Sequence, residues 1–192
     1  MADQRVLRER RLINEYNELM GISGKVIRIE PLGNSPYEKY RVTFNIRTII
    51  SPAPAFRNKT VCLLTIPTGY PEAAPKIAVE EGSMPPPWHT NWYRGGTWCF
   101  GGWTKEESLV NYIYRCARTI QFSTEFTDAR TEAAANKEAV AFWNENRNKR
   151  GIIPSDTQRL PTLDVQKPVI SIIKQNMPKI NFLKEQTKQE VP

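Results

Sequence analysis

Residues 70–109 read YPEAAPKIAVEEGSMPPPWHTNWYRGGTWCFGGWTKEESL. Tyr70 to Pro75 is a proline-bounded turn, and Lys76 to Val79 is a short strand. Residues 82–103 then hold Gly82, Gly95, Gly96, Gly101 and Gly102, three consecutive prolines, and four of the five tryptophans. A loop this rich in apolar surface is not polar filler, and ordered long loops in compact domains carry function. Cys99 lies in it. Thr104 and Glu107 match a capping box, so a helix is expected from Thr104.

Upstream, residues 3–20 read as an amphipathic helix. Val6, Ile13, Tyr16 and Met20 form its apolar stripe with Leu12 and Leu19 beside them, while Arg8, Arg11, Glu15 and Glu18 take another face. Arg11 and Glu15 stand one turn apart. Gly21 and Gly24 supply a stop. Three strands are expected at Lys25–Pro31, Tyr40–Ile50 and Thr60–Ile66, with Val42, Phe44 and Ile46 alternating against Thr43, Asn45 and Arg47. The short links LGNSPYE and SPAPAFRN favour an antiparallel meander that Lys76–Val79 completes.

Downstream, Leu109, Ile113, Cys116, Ala117 and Ile120 mark one apolar stripe. A further helix is expected from about Ala129 to Asn148, with Ala135, Ala139, Val140, Phe142 and Trp143 inward. Prolines at 154, 161, 168 and 178 break the pattern beyond Gly151. The expected organisation is therefore one α+β domain over 1–150 and an extended, proline-containing tail over 151–192.

The 192 residues carry a net charge of +7 with 40% hydrophobic and 24% charged side chains, an ordinary globular composition. No apolar run reaches the roughly 20 residues that span a bilayer, and MADQRVLRERR has charges where a signal peptide is apolar, so a cytoplasmic address is expected. Three cysteines without close pairing suggest neither a disulfide framework nor a metal site, and His89 is the sole histidine. The basic residues are dispersed apart from Arg5, Arg8, Arg10 and Arg11, and no nucleic-acid-binding motif is present. Neither nucleic acid nor membrane is expected as a partner.

The same stretch resembles the core of the ubiquitin-conjugating enzyme family. The family's Tyr-Pro-x-x-x-Pro turn after the third strand is matched by Tyr70, Pro71 and Pro75. Its His-Pro-Asn tripeptide is matched by His89, Thr90 and Asn91. Its catalytic cysteine, eight residues beyond the asparagine, is matched by Cys99, and its tryptophan before the second helix by Trp103. The resemblance covers roughly residues 3–148, and it implies a UBC-like fold: helix, four-stranded meander, active-site loop, two helices.

By that resemblance Cys99 is the nucleophile that holds a ubiquitin-like protein as a thioester, received from an activating enzyme and passed to an amine of a target protein, with or without a ligase. A thiolate exchanges with another thioester at little free-energy cost, and its nucleophilicity follows the thiolate fraction. Asn91 is assigned to oxyanion stabilisation or to support of the loop. His89 is assigned a structural role, its ring bonded to loop backbone. Asp128 is the candidate acidic residue near the attacking lysine, with capping of the third helix as its other reading. Arg5, Arg8 and Arg11 are candidates for the activating-enzyme contact, or simply a solvated face. No cofactor and no metal is expected. Trp88, Trp92, Trp98 and Trp103 read as packing around the loop rather than a ligand site, and Cys62 and Cys116 as buried, inert thiols.

The departures are specific. Thr90 replaces a proline and loses its fixed φ. Trp103 follows Cys99 by four residues instead of about eight, and the segment from Asp128 to Trp143 is short. They indicate a divergent branch, and the expected source is a bacterial ubiquitin-like modification operon serving antiviral defence. The competing reading is a non-catalytic UBC-fold module that binds a ubiquitin-like protein, although such modules lack the cysteine. A cysteine hydrolase using Cys99 and His89 would need an orienting third residue that the sequence does not show.

Overall fold

A computed structural model describes residues 4–53, 55–123, 133–149 and 160. Helix α1 (Gln4–Ile22) leads into strands β1 (Ile27–Leu32) and β2 (Lys39–Phe44), the hairpin β3 (Thr48–Ser51) and β4 (Ala55–Arg57), then β5 (Thr60–Thr65) and β6 (Lys76–Val79). A single 3-10 turn (Glu81–Ser83) precedes the long loop, and helices α2 (Leu109–Ile120) and α3 (Lys137–Asn146) follow. The fold is α+β, with three α-helices among the described residues and a four-stranded antiparallel sheet in the order β1-β2-β5-β6.

Alternation sets the sheet's inner face. Ile29, Val42, Cys62 and Val79 lie in one cross-strand row, and Tyr40, Leu64 and Ile77 in the next. Of these seven only Val79 is not fully buried, and the row packs with Leu12, Leu19, Ile113, Cys116 and Ile120 in one apolar cluster that joins α1, the sheet and α2. Half-buried Leu160 packs against the same cluster. A smaller cluster of Ile49, Phe122 and Trp143, edged by Phe56, Trp88 and Phe142, holds α3 to the β3–β4 hairpin.

The structure corrects four expectations. The predicted strand Tyr40–Ile50 is two: the ladder stops at Phe44, where Asn45 donates its N–H to Val26 O and its Nδ2 to Lys25 O, and a separate hairpin begins at Thr48. Helix α2 begins at Leu109 rather than Thr104, because Ser108 is the cap, its Oγ accepting the Asn111 N–H at 3.2 Å. Glu107 is instead held bidentately by Arg115 at 2.8 Å. Helix α3 begins at Lys137, capped by Asn136 Oδ1 on the Ala139 N–H, so residues 133–136 are not helical.

The fourth correction is the buried face of α1. Val6 and Ile13 are exposed, whereas Glu15 is 2% exposed among Leu12, Leu19 and Ile22. Its carboxylate is fully engaged. Oε1 accepts Arg11 Nε and the Tyr70 hydroxyl, each at 2.7 Å, and Oε2 accepts the Leu109 N–H at 2.8 Å. Leu109 opens α2, so a buried anion meets the positive end of the helix. One side chain therefore links α1, the Tyr70 turn and the start of α2. Asp128 and the tail beyond 150, Leu160 excepted, lie outside the described residues.

Candidate functional site

The loop around Cys99 is a hairpin laid on the edge of β6. Trp98 donates its N–H to Ile77 O at 3.0 Å, Val79 donates to Gly96 O at 2.8 Å, and Thr97 pairs with Ala78. Covering the edge of β6 satisfies backbone groups that an open edge would leave unpaired. The hairpin's own arms pair Asn91 with Cys99 (Cys99 N–H to Asn91 O, 2.7 Å), Trp92 with Trp98, and Tyr93 with Thr97 (Tyr93 N–H to Thr97 O, 2.9 Å). Its turn closes where Gly96 donates to Tyr93 O at 2.9 Å. Gly96 has φ +88°, a backbone conformation that favours glycine, and a Cβ there would approach the Met84 sulfur to 3.3 Å.

Strand periodicity then sorts the side chains. Trp92 and Trp98 point to the core, 0% and 3% exposed. Asn91, Tyr93, Thr97 and Cys99 share the opposite face. Cys99 is half-buried, unlike Cys62 and Cys116, which are fully enclosed; all three are free thiols. Burial pushes the Cys62 and Cys116 thiols far above the ordinary range, so both stay protonated and inert. The Tyr93 phenol stands beside the Cys99 sulfur, and the charge that sulfur can carry raises the phenol's pKa above its ordinary value.

The carboxamide of Asn91 reaches the same point. Thr90 Oγ1 donates to Asn91 Oδ1 at 2.8 Å, and Asn91 Nδ2 faces Cys99 O at 3.4 Å. That second contact is long for a hydrogen bond. His89 supports this pair from below. It is fully buried, its Nδ1 accepts the Asn91 N–H at 3.0 Å, and its ring meets Phe122 edge-on at 4.7 Å. Burial lowers the imidazole pKa to about 3, so the ring is neutral at physiological pH. Thr90 also offers its carbonyl to the Asn136 N–H, the cap residue of α3, at 3.1 Å.

The chain leaving Cys99 is held by α2. Arg115 Nη1 donates to Phe100 O at 2.8 Å and Nη2 to Gly102 O at 3.1 Å, while Nε and Nη2 together grip Glu107. Beneath it, Tyr112 meets Trp98, Phe100 and Trp103 edge-on at 5.0, 5.4 and 5.5 Å. Trp103 Nε1 donates to Pro71 O and the Tyr112 hydroxyl to Pro75 O, tying the Tyr70–Pro75 turn to the same block. Gly101, at φ +76°, provides the bend in the short link from Cys99 to Trp103.

Cys99, Asn91 and His89 thus occur together. Arg8 and Arg11 are used internally: Arg8 binds Glu38 and Pro67 O, and Arg11 binds Glu15 and Glu107 O. Arg5 is exposed on α1, beside Glu9. Among the described residues, no three His, Cys, Asp or Glu side chains gather into a metal-binding group, and no helix is long and apolar enough to cross a membrane.

Tyr93 and Arg115 were not singled out from the sequence, and Thr90 was read there only as a lost proline, not as a group that orients Asn91. The pairing of Asn91 with Cys99 across a Gly95-Gly96 turn is the signal that finds Tyr93, because residues two apart share a strand face. No protein-family model matches this chain, and no curated protein is similar to it. What identifies the site is therefore its own geometry: a half-buried thiol on a clamped hairpin, flanked by a carboxamide and a phenol.

Proposed function

We propose that the protein is a ubiquitin-conjugating-like acyltransferase with Cys99 as the acyl carrier. The observation that carries this reading is the pairing of Asn91 with Cys99, which sets a free thiol, a carboxamide and a phenol on one outer face while both neighbouring tryptophans point inward. The order of helix, four-stranded antiparallel meander, cysteine loop and two helices is the order of the UBC-like fold, and it supports the same reading.

In the first step the Cys99 thiolate attacks the thioester carbonyl of a ubiquitin-like protein held on an activating enzyme. A new C–S bond forms, the old one breaks, and the activating enzyme's cysteine leaves as a thiolate. In the second step an amine of a target protein attacks the Cys99 thioester, loses its proton to solvent or a neighbouring base, and expels the Cys99 thiolate as the amide forms. Both steps place negative charge on the carbonyl oxygen, and Asn91 Nδ2 is the nearby donor able to meet it after a small rotation away from Cys99 O. A neutral, enclosed His89 does not activate water, which suits a group that must hold a thioester without hydrolysing it. Partners on this reading are the activating enzyme, the ubiquitin-like protein, the target and, where needed, a ligase. A bacterial modification operon is the proposed setting.

Single-turnover transfer tests the reading. Protein charged with its modifier is separated from the activating enzyme and mixed with free lysine. Loss of the thioester with formation of a lysine amide is expected. A charged protein that releases only hydrolysed modifier would argue against a transferase.

A further inference from the structure

Arg57 ends β4, and Lys59 immediately precedes β5. Arg57 Nε donates to Thr60 Oγ1 at 3.2 Å, and Nη1 donates to Ser83 O. Ser83 is itself fixed, its Oγ accepting the Val61 N–H at 3.1 Å. The remaining nitrogen, Nη2, is shielded from water and has no acceptor. Among the described residues no carboxylate pairs with this guanidinium. The one acid lining the same groove, Glu80, has its Oε1 taken by Arg41 Nε at 2.8 Å. Burial lowers the Arg57 pKa, as expected of a cation withdrawn from water without a counter-charge. A desolvated charge left unpaired is costly, and a bound anion would offset that cost.

The groove is shaped for more than a bare ion. It encloses about 440 Å³, and Ile50, Val61 and Met84 line it beside Arg57 and Lys59. That is the size of a small-ligand site, and it combines apolar wall with a few fixed polar groups. Met84 is 44% exposed, an apolar side chain at the surface.

We propose that this groove binds a carboxylate carried on an aliphatic group, as a peptide's C-terminal residue or an acidic side chain presents it. The carboxylate meets Arg57 and Lys59, and the aliphatic part lies on Ile50, Val61 and Met84. Arg57 is the stronger of the two cationic contacts, since its guanidinium plane is already set by Thr60 and Ser83. This site is separate from the reading of Cys99 and stands without it.

The test is an NMR titration of the full chain with three probes: N-acetyl-leucine, N-acetyl-glutamic acid α-amide and N-acetyl-leucinamide, with inorganic phosphate as a fourth. Saturable shifts at Val61, Ser83 and Met84 with N-acetyl-leucine or the glutamic acid amide, absent with the neutral leucinamide, are the expected result. The first probe reports a C-terminal carboxylate and the second a side-chain one. Arg57→Gln is expected to weaken binding about tenfold, and Lys59→Gln by a smaller factor. Lys59→Gln lies at an exposed position and keeps the test usable if Arg57→Gln does not fold. Equal shifts with leucinamide, shifts with phosphate alone, or no saturation with either carboxylate would overturn the proposal.

Discussion

The hydroxyl of Thr90 donates to Oδ1 of Asn91 at 2.8 Å, leaving Nδ2 as the end of the carboxamide that faces Cys99. Where the resembling family has a proline that restricts the backbone, this chain has a hydroxyl that orients the next side chain. Thr90→Val keeps the shape and removes that bond. It is expected to leave charging of Cys99 intact and to slow transfer to lysine about tenfold, a little over 1 kcal/mol of lost orientation. Asn91→Ala removes the donor itself and should slow transfer about a hundredfold. Equal rates for wild type and both variants would remove Asn91 from the mechanism.

Cys99 should be the sole thiol that reacts quickly in the native protein. Cys62 and Cys116 are enclosed, and burial keeps them protonated. One equivalent of iodoacetamide is expected at pH 7, mapped to Cys99 by peptide mass spectrometry. Tyr93→Phe removes the hydroxyl that stands beside the sulfur and should slow that alkylation roughly threefold, a modest effect because the pair is near solvent. Labelling of Cys62 or Cys116 at a comparable rate would contradict the buried geometry.

Glu15 is the buried anion on which α1, the Tyr70 turn and α2 converge. Glu15→Ala leaves Arg11, the Tyr70 hydroxyl and the Leu109 N–H without their acceptor. The expected loss is about 3–5 kcal/mol in urea unfolding. Tyr70→Phe removes one of those bonds and should lose about 1 kcal/mol. A Glu15→Ala protein as stable as wild type would show that the network contributes specificity rather than stability.

His89 makes stability pH-dependent in a defined direction. Its pKa falls from 6.5 to about 3 on folding because it is buried. Between those values the unfolded chain binds the proton and the folded chain does not. The contribution is thus fully present above about pH 6.5 and is lost as pH falls toward 3, at about 1.4 kcal/mol per unit. His89→Asn retains an acceptor near the position of Nδ1. Its unfolding free energy should fall less steeply than wild type between pH 6 and 4.5, by close to one proton's worth of slope. Identical slopes would mean that His89 is already charged, or exposed, in the native protein.

The four strands of the main sheet and the buried face of α2 were legible because each depends on local alternation: Tyr40, Val42 and Phe44, then Thr60, Cys62 and Leu64, are buried in period two, whereas the short hairpin Thr48–Ser51 and Ala55–Arg57 was not. The face of α1 was not. A glutamate inside a helix reads as solvent-facing, and Glu15 is buried only because partners 55 and 94 residues away supply donors. The start of α2 was misplaced for a related reason. Thr104 and Glu107 match a capping pattern, but Arg115, eight residues along the chain, claims the glutamate. Cys99 and Asn91 stood out through spacing. The phenol of Tyr93 and the clamp of Arg115 depend on hairpin register and on the packing of α2, which a linear motif does not carry.

The central claim rests on one covalent bond. With a cognate activating enzyme, ATP and its ubiquitin-like protein, intact-mass analysis should show an adduct equal to the modifier less one water. It should be removed by dithiothreitol, absent in Cys99→Ala, and converted in Cys99→Ser to an ester that resists the thiol. A thiol-labile adduct that persists in Cys99→Ser, or no adduct on the wild-type protein, would contradict the account.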